Sequence, residues 1–467
     1  MPGNWAGRSV LVAGAGIAGT ACAEALLARG AQVTVVDRAE SERTEALVAA
    51  GATVVVEEPA QLSLLEDADE LVVSPGFPPH HPLAAEAVAR GLDVYSEPEL
   101  AWRLQREDAG TVPPPVWLGI TGTNGKTTTT TMLAAILGAA GRASAALGNI
   151  GQPLVTAQGY AVIAVELSSQ QLHWSRDLAP AAGVMLNLAD DHLDWHGSFA
   201  DYARAKEAIW RSATPSGGGV AVGNLDDPRV LDALGRVTGR AVGFTLAPPA
   251  DGQLGVVDGW LTDLAFGSGL LIEASAIRPP GAHNVANALA AAALALAYGV
   301  PAEAVGAGLR GYQPEPHRNA FVTTVEGVDY VDDSKATNPH AAYASLTAYP
   351  RIVWVAGGQL KGVDVDDLVG SVADRLAGAV LLGVDRQRIA QALARHAPGV
   401  PVVDVDGVDD GAMGQVVRAA AELARPGDTV LLAPAAASYD MFRNYGHRGD
   451  AFAEAARGLA AGGRDAD

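Results

Sequence analysis

The chain has 467 residues, 49 % of them hydrophobic and 18 % charged, a balance that supports about three domains of roughly 150 residues each and excludes general disorder. Acidic residues outnumber basic ones 53 to 32, and the net charge of −21 argues against a nucleic-acid-binding surface. No apolar run approaches the roughly 20 residues of a membrane span, and the single cysteine, Cys22, excludes an internal disulfide framework and a Cys-based zinc site.

The N-terminal residues lack the charged start, apolar stretch and cleavage site of a signal peptide, so a cytoplasmic protein is expected. Residues 9–13 read as a short apolar strand, followed by Gly14-x-Gly16-x-x-Gly19 and a helix to about Arg29. The next strand, 32–36, runs into Asp37. Further strands are predicted at 53–56 and 70–73, the latter leading into the loop Ser74-Pro75-Gly76. Glycines at this spacing let the backbone approach a pyrophosphate at a helix N-terminus, and an acid after the second strand can hold a ribose or base. NAD(P) and a nucleotide sugar diphosphate both satisfy that pattern, and so does a tight glycine turn with no ligand. A helix over 98–105 precedes the polar, proline-rich linker 107–115.

A strand at 116–120 enters Gly119-Ile-Thr-Gly122-Thr123-Asn124-Gly125-Lys126-Thr127-Thr128 directly. This is a phosphate-binding loop in which amides surround phosphate oxygens, Lys126 reaches the β- and γ-phosphates and Thr127 can hold Mg²⁺. It is a variant, since Ile120 stands where the strict pattern has its first glycine. Strands at 161–166 and 183–187 end in Glu166 and Asn187, the latter followed by Leu-Ala-Asp190-Asp191-His192, and Lys206 falls in a helix over 202–210. Polar groups at the carboxyl ends of such strands face the ligand crevice, where a carboxylate and a histidine can complete Mg²⁺ coordination. His283-Asn284-x-x-Asn287 opens an alanine-rich helix; its amides suit either a nucleobase edge or helix capping.

Beyond Pro314 and Pro316, strands are predicted near 330–332, 351–356, 379–382 and 429–433. Polar clusters follow or separate them: His317-Arg318, Asp332-Asp333-Ser334-Lys335-Ala-Thr337-Asn338, Gly357-Gly358-Gln-Leu-Lys361, Ser438-Tyr439 and Tyr445-Gly-His447-Arg448-Gly449. The repeated alternation of strand and helix predicts an α/β protein of three domains, 1–108, 116–314 and 315–467. Only four of the 32 basic residues are lysine: Lys126, Lys206, Lys335 and Lys361. In a chain that uses arginine for generic positive charge, these four mark tasks that a broad planar guanidinium cannot perform, unless they are retained by chance.

Taken in order, Gly-x-Thr-Gly-Thr-Asn-Gly-Lys-Thr, Glu-Leu-Ser-Ser-x-Gln-Leu, His-Asn-x-x-Asn, His-Arg, Asp-Ser-Lys-Ala-Thr-Asn and Ser-x-Asp-x-Phe resemble the Mur ligases of peptidoglycan precursor synthesis over the whole chain. The resemblance implies a Rossmann-like N-terminal domain, a central P-loop mononucleotide-binding ATPase domain and a C-terminal Rossmann-like α/β domain. It implies an ATP-dependent amide ligase, a monomer, adding D-glutamate to UDP-N-acetylmuramoyl-L-alanine through an acyl phosphate. The L-alanine-adding member of the family and an L-glutamate-adding variant are the alternatives. An NAD(P)-dependent oxidoreductase would leave Lys126 and Glu166 idle.

By the same resemblance, Gly16, Ile17, Ala18, Gly19, Asp37, Ser74, Pro75 and Gly76 would hold the UDP substrate, with Asn149 nearby. Gly122, Thr123, Asn124, Gly125, Lys126, Thr127, Thr128, Asn287, Arg318 and Asp333 would bind ATP. Thr127, Glu166, His192 and a CO₂-carboxylated Lys206 would hold two Mg²⁺, and Lys126, Glu166, His192 and Lys206 would be the catalytic set. Lys335, Thr337, Lys361, Ser438, Tyr439 and Tyr445 would bind the incoming amino acid and the activated carboxylate. Hinge closure about the linkers is the expected way to align three ligands. Two positions depart from the family pattern: Asn319-Ala320 replaces the usual glutamate two residues after the arginine, and Gln359-Leu360 follows the paired glycines.

Overall fold

The structure, a computed structural model, describes residues 5–57, 61–110, 112–314, 316–407 and 409–462. Thr111, in the expected linker, and Glu315, the first residue of the expected third domain, lie outside the described residues, as do the chain ends that bound the first and third.

Three α/β sheets account for the described strands. The first takes β1 (Ser9–Ala13), β2 (Gln32–Asp37), β3 (Thr53–Val56), β4 (Glu70–Val73) and β5 (Asp93–Tyr95), all parallel, in the order β3-β2-β1-β4-β5. β1 reads Ser-Val-Leu-Val-Ala and buries all but its first residue, because helices cover both faces of a parallel sheet and leave no polar side to alternate with. The chain reverses its direction of strand addition between β1 and β4, which opens the ligand crevice at their carboxyl ends.

The second sheet has β6 (Val116–Thr121), β7 (Ser144–Gly148), β8 (Val162–Glu166), β9 (Ala182–Met185), β10 (Val220–Asn224), β11 (Arg240–Phe244), β12 (Gln253–Val257), β13 (Trp260–Asp263) and β14 (Gly269–Glu273). Their order is β14-β13-β12-β11-β10-β9-β6-β8-β7, with β12 to β14 as an antiparallel meander on one edge. β6 therefore lies between β8 and β9, so the loops after these three strands open side by side. The third sheet takes β15 (Ala320–Val325), β16 (Val328–Asp332), β17 (Ile352–Gly357), β18 (Leu376–Leu382), β19 (Val402–Asp404) and β20 (Thr429–Leu432), in the order β15-β16-β20-β17-β18-β19. Only β15 runs antiparallel to its neighbour.

Two compact units divide the chain. One takes the residues up to Ala276 together with Ala286–Tyr312, and the other takes Ile277–Val285 and the chain from Gln313 onward. The first two sheets thus share one unit, although the sequence places a linker between them. The helix Glu97–Glu107, longer at both ends than predicted, explains this. Its fully buried Glu99 accepts the backbone N–H groups of Arg176, Asp177 and Leu178 at 3.0–3.1 Å. Glu97 accepts the Val155 N–H at 2.8 Å, and Trp102 meets Trp117 edge to face at 5.3 Å. The alanine-rich helix runs Ala282–Ala297, and Ala288–Ala295 carry no exposed surface. No described helix is long and apolar enough to cross a membrane.

Candidate active site

β6 hands the chain to a loop in which Gly122 and Gly125 adopt φ of 153° and 83°, just before the helix Lys126–Ala139. A side chain at Gly125 would also meet Asn287, whose Oδ1 lies 2.5 Å from where a Cβ would sit. No side chain caps this helix, and an uncapped helix N-terminus is an end suited to binding anions. Thr128 is half-buried in the first turn. Lys126 Nζ folds back to donate to the Gly122 and Thr123 carbonyls at 3.0 and 2.9 Å. Asn187 clamps the loop by accepting the Asn124 N–H at 2.8 Å and donating to its carbonyl at 3.1 Å.

Glu166, at the buried end of β8, accepts from Thr127 Oγ1 at 2.8 Å and from Asn149 Nδ2 at 3.0 Å. The structure thus places Asn149, expected near the UDP substrate, on the carboxylate beside the phosphate loop. Lys206, in the helix Phe199–Glu207, is 2 % exposed and donates from Nζ to the Gly122 carbonyl at 2.8 Å. Burial, then the charge of Lys126, drives its pKa well below the usual lysine range. Tyr202, which the sequence did not single out, joins the cluster with its hydroxyl 2.8 Å from Thr123 Oγ1.

His192 has a left-handed backbone, φ 52°, and a half-exposed ring with Nε2 3.5 Å from Asp191. Among the described residues no three His, Cys, Asp or Glu side chains form a ready-made metal cage. The Thr127 hydroxyl and Glu166 carboxylate do present hard oxygens at the helix start, the donor chemistry that Mg²⁺ takes.

In the first sheet, the carboxylate of Asp37 lies over the glycine loop, accepting the Ala15 N–H at 2.5 Å and its own neighbour Arg38 N–H at 2.7 Å. Gly16 precedes the helix Ile17–Leu27 without a side-chain cap; Ile17 is exposed and Ala18 half-buried. Gly19 packs so closely that a Cβ there would lie 1.8 Å from the Gly14 carbonyl. Ser74 Oγ sits 2.7 Å from where a Cβ on Gly14 would be, so the Ser74-Pro75-Gly76 loop closes on the glycine loop.

The second unit gathers its polar clusters at the carboxyl ends of β16, β17 and β20. His317 Nδ1 is 2.7 Å from Asp332 Oδ2, a contact that raises the imidazole pKa against the opposing effect of burial. The Lys335 N–H donates to the His317 carbonyl at 3.1 Å, and the Lys335 ammonium lies 3.8 Å from the Tyr445 ring centroid. The Thr337 N–H donates to the Lys335 carbonyl at 2.8 Å. A bridge between Gln359 and Ala437 sets the Gly-Gly loop beside Ser438. Ser438 is buried, Tyr439 and Lys361 are exposed, and Lys361 takes φ 52°.

Asp333 turns inward, accepting the Ser345 hydroxyl and, at 3.1 Å, the Asn319 N–H. Burial pushes its pKa up to about 7, against the charge of Arg318 nearby. Arg448, missing from the expected site, is 1 % exposed and binds the Ser334 hydroxyl and carbonyl, both at 2.9 Å, and the Gly357 and Ala436 carbonyls. One guanidinium thus fixes the three loops that carry Lys335, Lys361 and Ser438. The Arg-Gly pair at 448–449 was the available signal, since a Cβ on Gly449 would lie 2.1 Å from His317 Nδ1.

Three family models match this chain in order: the Mur ligase MurD-like N-terminal domain over residues 8–96, the Mur ligase middle domain over 120–295, and the Mur ligase glutamate ligase domain over 317–436. The UDP-N-acetylmuramoylalanine–D-glutamate ligase of Streptomyces coelicolor is 52 % identical, the match covering 99 % of this chain and all of that protein. The ligase of the same name from Thermobifida fusca is 50 % identical over 97 % of this chain and 99 % of its own. Among solved structures, UDP-N-acetylmuramate–alanine ligase MurC from Thermotoga maritima has the same fold with a TM-score of 0.58 at 19 % identity, covering 97 % and 99 % of the two chains. With all three domain models in sequence and half-identical relatives spanning nearly its full length, the chain belongs to the Mur ligase family.

Proposed function

We propose that this protein is an ATP-dependent amide ligase that joins D-glutamate to UDP-N-acetylmuramoyl-L-alanine, releasing ADP and phosphate. The observation that carries the reading is the meeting of Lys126 and Lys206 on the Gly122 carbonyl, with Glu166 bonded to the first turn of the same phosphate loop. The printed name shared by the half-identical relatives supports D-glutamate as the incoming amino acid.

Magnesium, when bound, neutralises charge on the transferring phosphoryl group. Thr127 and Glu166 would hold it, with His192 and a carboxylated Lys206 completing two sites. Burial disfavours the ammonium form of Lys206, and its neutral amine would carry the lone pair needed to attack CO₂, forming an N–C bond and releasing one proton to give a carbamate. Arginine supplies no such amine. The uncapped helix start and Lys126 orient the γ-phosphate toward the alanine carboxylate, which attacks it to form an acyl phosphate and ADP. Asn287, Arg318 and Asp333 hold the rest of the nucleotide in this reading.

The amine of glutamate then attacks the acyl phosphate, and the tetrahedral intermediate collapses to amide and phosphate. Lys335, Thr337, Lys361, Ser438, Tyr439 and Tyr445 would hold the glutamate. Gly16, Ile17, Ala18, Gly19, Asp37 and the Ser74-Pro75-Gly76 loop would hold the UDP moiety. Phosphate release followed with each substrate omitted in turn tests the function. The ligase predicts release only with all three present, and release from ATP alone at the same rate would overturn it.

A further inference from the structure

Two indoles of the middle domain reach into the N-terminal sheet's core. Trp174 follows the short helix Ser169–His173 that comes just after Glu166, and Trp195 lies in the helix Leu193–His196 just after His192. They are 7 % and 9 % exposed and pack in one cluster with Leu11, Ala13, Val36 and Val73. Their N–H groups emerge on the loop 74–77. Trp195 Nε1 donates to the Pro75 carbonyl at 2.8 Å, and Trp174 Nε1 to the Phe77 carbonyl at 3.2 Å.

The two carbonyls flank Gly76, a residue with little conformational stiffness of its own, so the bonds fix a segment that would otherwise vary. The far side of this loop rests on Gly14 through Ser74. The two tryptophan-bearing segments are also joined to each other. The His173 imidazole stands edge-on to both indoles, with centroids 4.7 and 5.3 Å away, and His196 Nε2 lies 2.9 Å from Ser169 Oγ.

We propose that Trp174 and Trp195 are positioning residues that set the UDP-substrate loop 74–77 in register with the phosphate loop, so that losing either indole N–H impairs use of the UDP substrate and leaves ATP binding intact. This rests on the reading of Ser74-Pro75-Gly76 as part of the UDP-substrate site. Phenylalanine keeps most of the apolar packing and removes the donor, leaving a partly buried carbonyl unpaired. That loss is worth about tenfold in an equilibrium constant.

The test compares W195F, W174F, S74A and the W195F/S74A double variant with the parent enzyme. Phosphate-release kinetics are paired with calorimetric titration of UDP-N-acetylmuramoyl-L-alanine, well below the melting temperature. W195F and W174F are each expected to raise KM and Kd for the UDP substrate about tenfold with KM for ATP unchanged. Because W195F and S74A act through one loop, the double variant is expected to lose less than the product of the single effects. Wild-type affinity in S74A overturns the loop assignment and this proposal with it. Weakened S74A with unimpaired W195F and W174F, fully multiplicative losses, or an equal rise in KM for ATP overturns the tether alone.

Discussion

Lys206 sits at 2 % exposure with its amine on the Gly122 carbonyl, and Lys126 donates to that same oxygen. Two ammonium groups so placed in a desolvated loop disfavour each other, and burial makes Lys206 the one whose charged form is penalised, as the proposed carbamate requires. Lys206→Arg is therefore expected to lower phosphate release about a thousandfold or more and to resist bicarbonate, whereas Lys206→Ala is expected to recover in part with a short carboxylic acid. Steady-state assays with and without these additives decide it, and an active arginine variant would remove the carbamate. Lys126→Ala is expected to cost about a hundred- to a thousandfold in kcat, measured by the same assay. As candidates these lysines were legible in composition, since so few interrupt an arginine-rich chain. Arg448 was legible only as a member of the polar cluster 445–449, because nothing in one dimension shows that its guanidinium is buried on four loop acceptors. The two tryptophans were equally silent, since their partners are backbone carbonyls about 100 residues away.

The helix Glu97–Glu107 does for elements what Lys206 does for residues, since its acids work by being buried. Burial raises the Glu97 carboxyl from 4.5 to about 7, with the Val155 N–H opposing, and the nearby Glu97 adds to the rise that burial imposes on the Cys22 thiol. A carboxyl whose folded pKa exceeds its unfolded one binds its proton more tightly when folded. Stability is then greatest below about pH 4.5 for this group and falls as pH rises to about 7, by about 3 kcal/mol in all. Thermal melts of parent and Glu97→Gln at pH 5 and pH 8 are expected to show the parent losing more stability than the variant on going to pH 8; parallel losses would contradict the burial argument. Sequence patterning located β1, β3 and β4 to the residue, because unbroken apolar runs ended by glycine or polar loops leave little freedom of register. It missed β5, β7, β10 to β15 and β19, whose short, glycine-containing or mixed-polarity strands depend on neighbours distant in sequence.

At the scale of the whole molecule, the three-domain α/β organisation was legible, but the packing of the first two sheets into one unit was not. The proline-rich segment reads as a separator, while the contacts that override it come from Glu97, Glu99 and Trp102 just before it. The net charge of −21 also takes on meaning beside the proposed reaction. Its substrates are all anionic, so the overall field repels them and local lysines, magnesium and uncapped helix starts must supply the binding. The ligase account is tested most directly by phosphate release from ATP with UDP-N-acetylmuramoyl-L-alanine and a panel of amino acids that includes both enantiomers of glutamate and alanine. Release with D-glutamate far above all others, and none without the UDP substrate, is the predicted result; preference for L-alanine or L-glutamate, or release independent of the UDP substrate, would contradict it.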